Sequence, residues 1–115
     1  MLVFVYGSLK KGFRNHSYFL EENKLLGSHI TAPKFTMVSL GGFPGVLKGG
    51  ETPISGEIYE INEGDLQRLD RLEGHPTFYC REQIPTPYGN SWIYFLQGRH
   101  GDTNKVESGI WEEHR

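Results

Sequence analysis

The chain has a single cysteine, Cys80, in 115 residues. That excludes an internal disulfide framework and any cysteine-rich zinc site, and it fits a reducing compartment. Charge of one sign is also scarce. Twelve basic against 14 acidic residues leave a formal net charge of -2, so there is no electrostatic footprint for nucleic acid or for an anionic membrane surface. No apolar run approaches the length that spans a bilayer. The opening Met1 to Val5 lacks a basic flank and meets polar sequence by Ser8, so it reads as a strand rather than a signal peptide. The expected location is the cytoplasm. His16, His29, His75, His100 and His114 are scattered, with no His-x-His pair and no helical zinc motif, so no metal is expected. Ser8 lacks the pattern of a nucleophile elbow.

What is present in excess is glycine, 15 residues, with 6 Pro and 13% aromatic residues. The length fits one domain, 1–115, able to bury a core without staples, and the aromatics supply large buried area per residue. Between 27 and 56 glycine and proline recur so often that only strand-length intervals remain. Leu2 to Tyr6 is a continuous apolar run, the mark of a strand buried on both faces. Lys34 to Leu40 and Ile54 to Ile61 alternate as half-buried strands do. Asn15 to Lys24 escapes the punctuation and is expected to form a short helix. A second helix, Glu63 to Glu73, is better signalled: Asn62 caps it with Asp65 as its third residue, Leu66, Leu69 and Leu72 repeat at threefold spacing, and Gly74 stops it. Phe78 to Ile84 and Trp92 to Gln97 then read as a hairpin turning at Pro87-Tyr88-Gly89-Asn90. The polar stretch from 99 to 115 reads as a loosely ordered tail. Strands without regular helical crossovers give an α+β class, a small mixed or antiparallel sheet curled toward a barrel and flanked by short helices.

Three constellations have chemical content. In the first, a buried strand opens into Tyr6-Gly7-Ser8-Leu9-Lys10-Lys11-Gly12. Successive backbone N–H groups in such a turn make a concavity for a carboxylate or phosphate, although an ordinary strand-ending turn has the same composition. Gly7 and Gly12 have P-loop spacing, but Phe13-Arg14 stands where Lys and Ser or Thr are required. The second is Glu73, at a helix carboxyl end where the macrodipole disfavours its charge by about 0.3 to 1 kcal/mol. That placement, with apolar neighbours, raises the pKa toward general-base range; a solvated last-turn Glu is the alternative. The third is Phe78, Tyr79, Arg81, Trp92 and Tyr94. Tyr79 and Arg81 share one strand face, as do Trp92 and Tyr94, so they form either core or a tyrosine-rich pocket wall. Cys80 alternates away from Tyr79 and Arg81 and reads as a small buried hydrophobe. Gly41 to Gly45 is a rigid loop that either closes such a pocket or merely connects strands.

Taken together, Val5-Tyr6-Gly7-Ser8-Leu9-Lys10-Lys11-Gly12, Asn15-His16 and Leu69-Asp70-Arg71-Leu72-Glu73-Gly74-His75-Pro76-Thr77-Phe78-Tyr79-Cys80-Arg81 resemble the gamma-glutamylcyclotransferase-like (AIG2-like) family, and most closely its gamma-glutamylamine cyclotransferases. The resemblance implies a small β-barrel with a pocket at one end. It implies that the Tyr6 to Leu9 loop holds the α-carboxylate of a γ-glutamyl substrate and that Glu73 is the general acid/base. The implied reaction is attack of the substrate's amine on its own γ-carbonyl, releasing 5-oxoproline and a free amine without any cofactor. Tyr79 and Tyr94 are expected to line the substrate pocket. A binding module without turnover, or a γ-glutamyl deacylase of a secondary metabolite, would use the same residues. The expected partner is this small molecule, with neither nucleic acid nor membrane, and monomer and dimer both remain open. The chain departs from the family's Ser-Gly-Asp-Trp ending by having Ile110 in Ser108-Gly109-Ile110-Trp111, which bears on the pocket mouth or on how the tail docks.

Overall fold

A computed structural model describes residues 1–98 and 104–113. The described elements are β1 (Leu2–Val5), α1 (His16–Phe19), β2 (Leu25–Ile30), β3 (Phe35–Ser39), β4 (Pro44–Lys48), β5 (Ser55–Glu60), α2 (Glu63–Glu73), β6 (Tyr79–Ile84), β7 (Ser91–Leu96) and β8 (Asn104–Lys105). One sheet has the order β2-β5-β1-β7-β6 and the other β4-β3-β8. The central β1 runs antiparallel to β5 and parallel to β7, so the sheet is mixed. The α+β class is as expected. The sheets curl around a shared core without closing into a barrel, with β2 and β6 at the edges of the larger one.

Burial on both faces of β1 organises the core. Phe4 joins Phe35, Met37, Val46, Ile58, Ile93 and Phe95 between the two sheets. Val3 and Val5, on the other face, join Tyr59, Leu66, Leu69, Tyr79 and Tyr94 beneath α2. Leu66 and Leu69 are the two buried residues of α2, each contributing about 1.5 to 3 kcal/mol through loss of contact with water. Leu72, expected on the same apolar stripe, is 39% exposed instead. The helix begins and ends where its capping residues dictate. Asn62 accepts from the Asp65 N–H while the Asp65 carboxylate accepts from the Asn62 N–H, and Gly74 closes it in the left-handed region at φ 65°, where a Cβ is disfavoured.

Elsewhere the structure departs from the sequence expectations. The helix expected over Asn15 to Lys24 is a single turn, His16–Phe19, without a buried residue or a side-chain cap. A turn with no fully buried residue cannot offset its nucleation, and the Asn15 amide donates to Ser8 Oγ at 2.8 Å instead of capping it. Leu25–Ile30 pairs with β5 as an edge strand. The last two residues of the Gly41 to Gly45 loop, Pro44 and Gly45, already belong to β4 and pair with β3. Cys80 is half-buried rather than buried. Of the expected loose tail, 99–103 and 114–115 lie outside the described residues, as do His100 and His114. Residues 104–113 are docked: β8 pairs with β3, the Lys10 ammonium donates to the Trp111 carbonyl at 2.8 Å, and the Arg14 N–H donates to Glu113 Oε1 at 2.9 Å. No described helix is long and apolar enough to cross a membrane.

Candidate active site

Where β1 ends, the chain turns through Tyr6, Gly7, Ser8 and Leu9 along one side of a cavity of about 220 Å³, with Glu73, Tyr79 and Tyr94 also in its lining. The loop and the carboxyl end of α2, singled out separately in the sequence, therefore meet. The volume is below the 300 to 1,000 Å³ typical of sites that engulf a whole drug-sized ligand, and suits the head of a small molecule.

The loop is shaped by close packing. A Cβ on Gly7 would lie 2.9 Å from Cγ and 3.1 Å from Cδ of Pro44, so glycine is required by the approach of a ring that cannot rotate away. Asn15 anchors the loop twice, its amide on Ser8 Oγ and its N–H on the Ser8 carbonyl at 3.0 Å. His16 Nδ1 lies 3.0 Å from the Leu9 carbonyl. Among the described residues, the N–H groups of Gly7, Ser8 and Leu9 have no protein acceptor. Three consecutive unpaired donors beside a cavity are the chemistry from which a concavity able to hold an anion is made.

Glu73 is set apart by the absence of partners. No protein donor or cation among the described residues engages its carboxylate, and burial alone pushes its pKa up to about 7. The upward shift anticipated from its helix-end position is thus present, and desolvation is its cause. A carboxyl that titrates near neutrality exchanges a proton readily with a bound molecule.

The three tyrosines around Glu73 form a scaffold. Tyr6 donates to the Tyr94 carbonyl at 2.7 Å, Tyr94 to Asp70 Oδ1 at 2.7 Å, and Tyr79 to the Pro44 carbonyl at 2.6 Å. Each hydroxyl proton is committed to a protein acceptor, so these rings face the cavity with lone pairs and apolar faces. Burial raises all three phenol pKa values, and the nearby Glu73 carboxylate adds to the effect. Arg81 holds Asp70 with two bonds, 2.8 and 3.1 Å, and its guanidinium lies 4.3 Å from the centre of the Trp92 ring. Burial opposes ionisation of Asp70, but the bonds from Arg81 and Tyr94 outweigh it and hold that carboxyl below its ordinary value. Arg81 is directly opposite Tyr94 in the β6–β7 register, so the hairpin grips the last turns of α2 from one side.

Sequence reasoning missed Asn15 and Asp70 as supports and Leu72 as lining, whereas Phe43 and Pro44 lie in the Gly41 to Gly45 loop that it offered either as closing the pocket or as a plain connection. Asp70 carries no local signal, because its partners come from β6 and β7. Among the described residues no group of three His, Cys, Asp or Glu side chains is placed to hold a metal ion.

The family model "Gamma-glutamyl cyclotransferase, AIG2-like" matches residues 3–113. A relative from Vibrio cholerae is 42% identical over 110 residues, covering 96% of this chain and 94% of the relative. The "Gamma-glutamylcyclotransferase family protein YtfP" of Escherichia coli K12 is 36% identical over 111 residues, covering 96% of each chain, and its solution structure superposes with a TM-score of 0.78. The crystal structure of a mouse AIG2-like protein, 27% identical, superposes with a TM-score of 0.79 over 99% of this chain and 95% of the mouse chain. On both sequence and fold, the chain belongs to the AIG2-like gamma-glutamyl cyclotransferase family.

Proposed function

We propose that the protein is a cofactor-independent cyclotransferase acting on γ-glutamyl amines, with Glu73 as general acid/base. The observation that carries this reading is the pairing, across one small cavity, of a neutral-range carboxyl with three unpaired backbone N–H groups.

The Gly7 to Leu9 donors bind the substrate α-carboxylate. Glu73 then accepts a proton from the adjacent α-ammonium. The freed amine attacks the γ-carbonyl carbon of its own chain, closing a five-membered lactam through a tetrahedral oxyanion. The bond from that carbon to the departing nitrogen breaks as protonated Glu73 returns its proton there; the Glu73 carboxylate so regenerated takes the second proton from the ring nitrogen and passes it to the departing amine, leaving 5-oxoproline and an ammonium product. Because nucleophile and electrophile share one molecule, the protein's main task is to hold the near-attack geometry.

Magnitudes favour the unpaired carboxyl. An ordinary Glu near pKa 4.3 facing an α-amino group near 7.8 would make proton transfer uphill by about 4.8 kcal/mol. With Glu73 at about 7, the same transfer is uphill by about 1 kcal/mol. Incubation with a panel of γ-glutamyl amides that spans alkyl, arylalkyl and amino-acid leaving groups, with 5-oxoproline as the readout, tests the reading. Release is expected from wild type and lost in Glu73→Gln; equal yields from both would remove Glu73 from the chemistry.

A further inference from the structure

The γ-glutamyl head occupies the floor of the proposed site, and the departing amine must lie toward the mouth. There the lining contains three apolar side chains delivered by three different elements: Leu72 from the last turn of α2, Phe78 at the entry to β6 and Phe43 at the entry to β4. Leu72 is 39% and Phe78 44% exposed. Large apolar groups left in water beside a cavity mark a surface that a ligand covers. The surface is also held in place. The Phe78 N–H donates to the Gly74 carbonyl at 2.9 Å, and the Phe78 carbonyl accepts from the Gln97 N–H at 2.9 Å. Its ring meets Tyr79 edge-on at 5.0 Å and lies 6.2 Å from Phe43.

Charge at the mouth is already matched. Besides Glu73, the only charged side chain among the described residues of the lining is Arg14. Its Nη2 donates to the Gly42 carbonyl, and its Nε lies 3.6 Å from Glu113 Oε2. A leaving amine bearing a carboxylate would compete with Glu113 for Arg14, and one bearing a second ammonium would find no carboxylate except Glu73 among the described residues of the lining.

Resting on the cyclotransferase reading, we propose that Phe43, Leu72 and Phe78 form the leaving-group subsite and that the amine released carries an arylalkyl or alkyl group with no charge beyond the amine itself, unlike an amino acid or a polyamine. A phenyl ring settling against the Phe43–Phe78 pair and Leu72 removes apolar area from water on both partners and adds a ring to the pair.

The test compares γ-glutamyl-phenethylamine, γ-glutamyl-ethylamine and γ-glutamyl-β-alanine. In wild type, kcat/KM for the phenethyl substrate is expected to exceed the other two by about tenfold or more, in line with partial burial of an aromatic ring. In Phe78→Ala and in Leu72→Ser, both exposed positions, the phenethyl-to-ethyl ratio falls toward one. A wild-type ratio below about two, preference for the β-alanine conjugate, or a ratio untouched by both substitutions overturns the subsite. Calorimetric binding of the same three amides to Glu73→Gln separates the two levels. If wild type releases no 5-oxoproline from any substrate, the cyclotransferase reading fails. The subsite then stands if the phenethyl amide binds about tenfold tighter than the ethyl amide, and falls if it does not.

Discussion

The Tyr94 hydroxyl donates to Asp70 at 2.7 Å while the Tyr94 carbonyl accepts from Tyr6, also at 2.7 Å. One residue of β7 thereby ties the turn of helix just before Glu73 to the residue that opens the Tyr6 to Leu9 loop. The two halves of the proposed machinery share a common post.

Removing that post without removing its ring separates support from contact. Tyr94→Phe leaves Asp70 held by Arg81 alone and is expected to lower unfolding free energy by about 1 kcal/mol. 5-Oxoproline release should fall, mainly in kcat, because Glu73 loses its fixed position relative to the substrate. Denaturant unfolding and steady-state kinetics on the same preparation check both. Unchanged kcat with the expected stability loss would reduce Tyr94 to a purely structural role.

The pH profile follows from the carboxyl. Glu73 must be ionised to accept the ammonium proton, and its pKa of about 7 places the acid limb there rather than near the ordinary glutamate value of about 4.3. The rate at low substrate is expected to rise about tenfold per unit below pH 7 as pH increases, and to flatten above it. A profile already flat at pH 5.5 would contradict a desolvated base.

Glu73 should also set stability against pH. Its folded pKa is raised, so the folded state holds the proton that the unfolded chain releases between about 4.3 and 7, and stability falls as pH rises through that window. Glu73→Gln removes the charged form, and is expected to be more stable than wild type at pH 8 by up to about 3 kcal/mol, with the difference vanishing near pH 4. Thermal unfolding of both proteins at the two pH values measures it.

Gly7→Ala probes the loop by steric means. The added Cβ would sit 2.9 Å from Pro44 Cγ, and Pro44 is itself held by Tyr79. The loop must yield, at a cost of about 1 to 3 kcal/mol. Weaker binding of 5-oxoproline is expected along with the lower stability, and calorimetric titration reports it directly.

Legibility in the sequence tracked how local each determinant is. Helix α2 was readable to the residue, because Asn62, Asp65 and Gly74 act within one turn of its ends. Strand β4 was not, because Gly-Gly-Phe-Pro-Gly resembles a loop and pairs only once β3 is beside it. The expected helix after Asn15 stops at one turn, since His16–Phe19 has no fully buried residue and the buried Leu20 lies just past it. Residues 104–113 look polar and loose until Lys10 and Arg14 are seen to grip them. At the site, Glu73 and the 6–9 loop announced themselves by position, whereas Asp70 and Tyr94, 24 residues apart, meet only because β7 passes beneath the helix.

The isolation of Glu73 makes ligand binding and protonation one event. With no cation among the described residues engaging the carboxylate, any ammonium that pairs with it becomes its first direct counter-charge and pulls the carboxyl pKa down. Near neutrality roughly half of the free molecules carry the proton, so occupancy by an ammonium ejects a fraction of a proton to solvent. The enthalpy of binding must then vary with the ionisation heat of the buffer, and the incoming molecule itself switches its acceptor into the form that receives its proton.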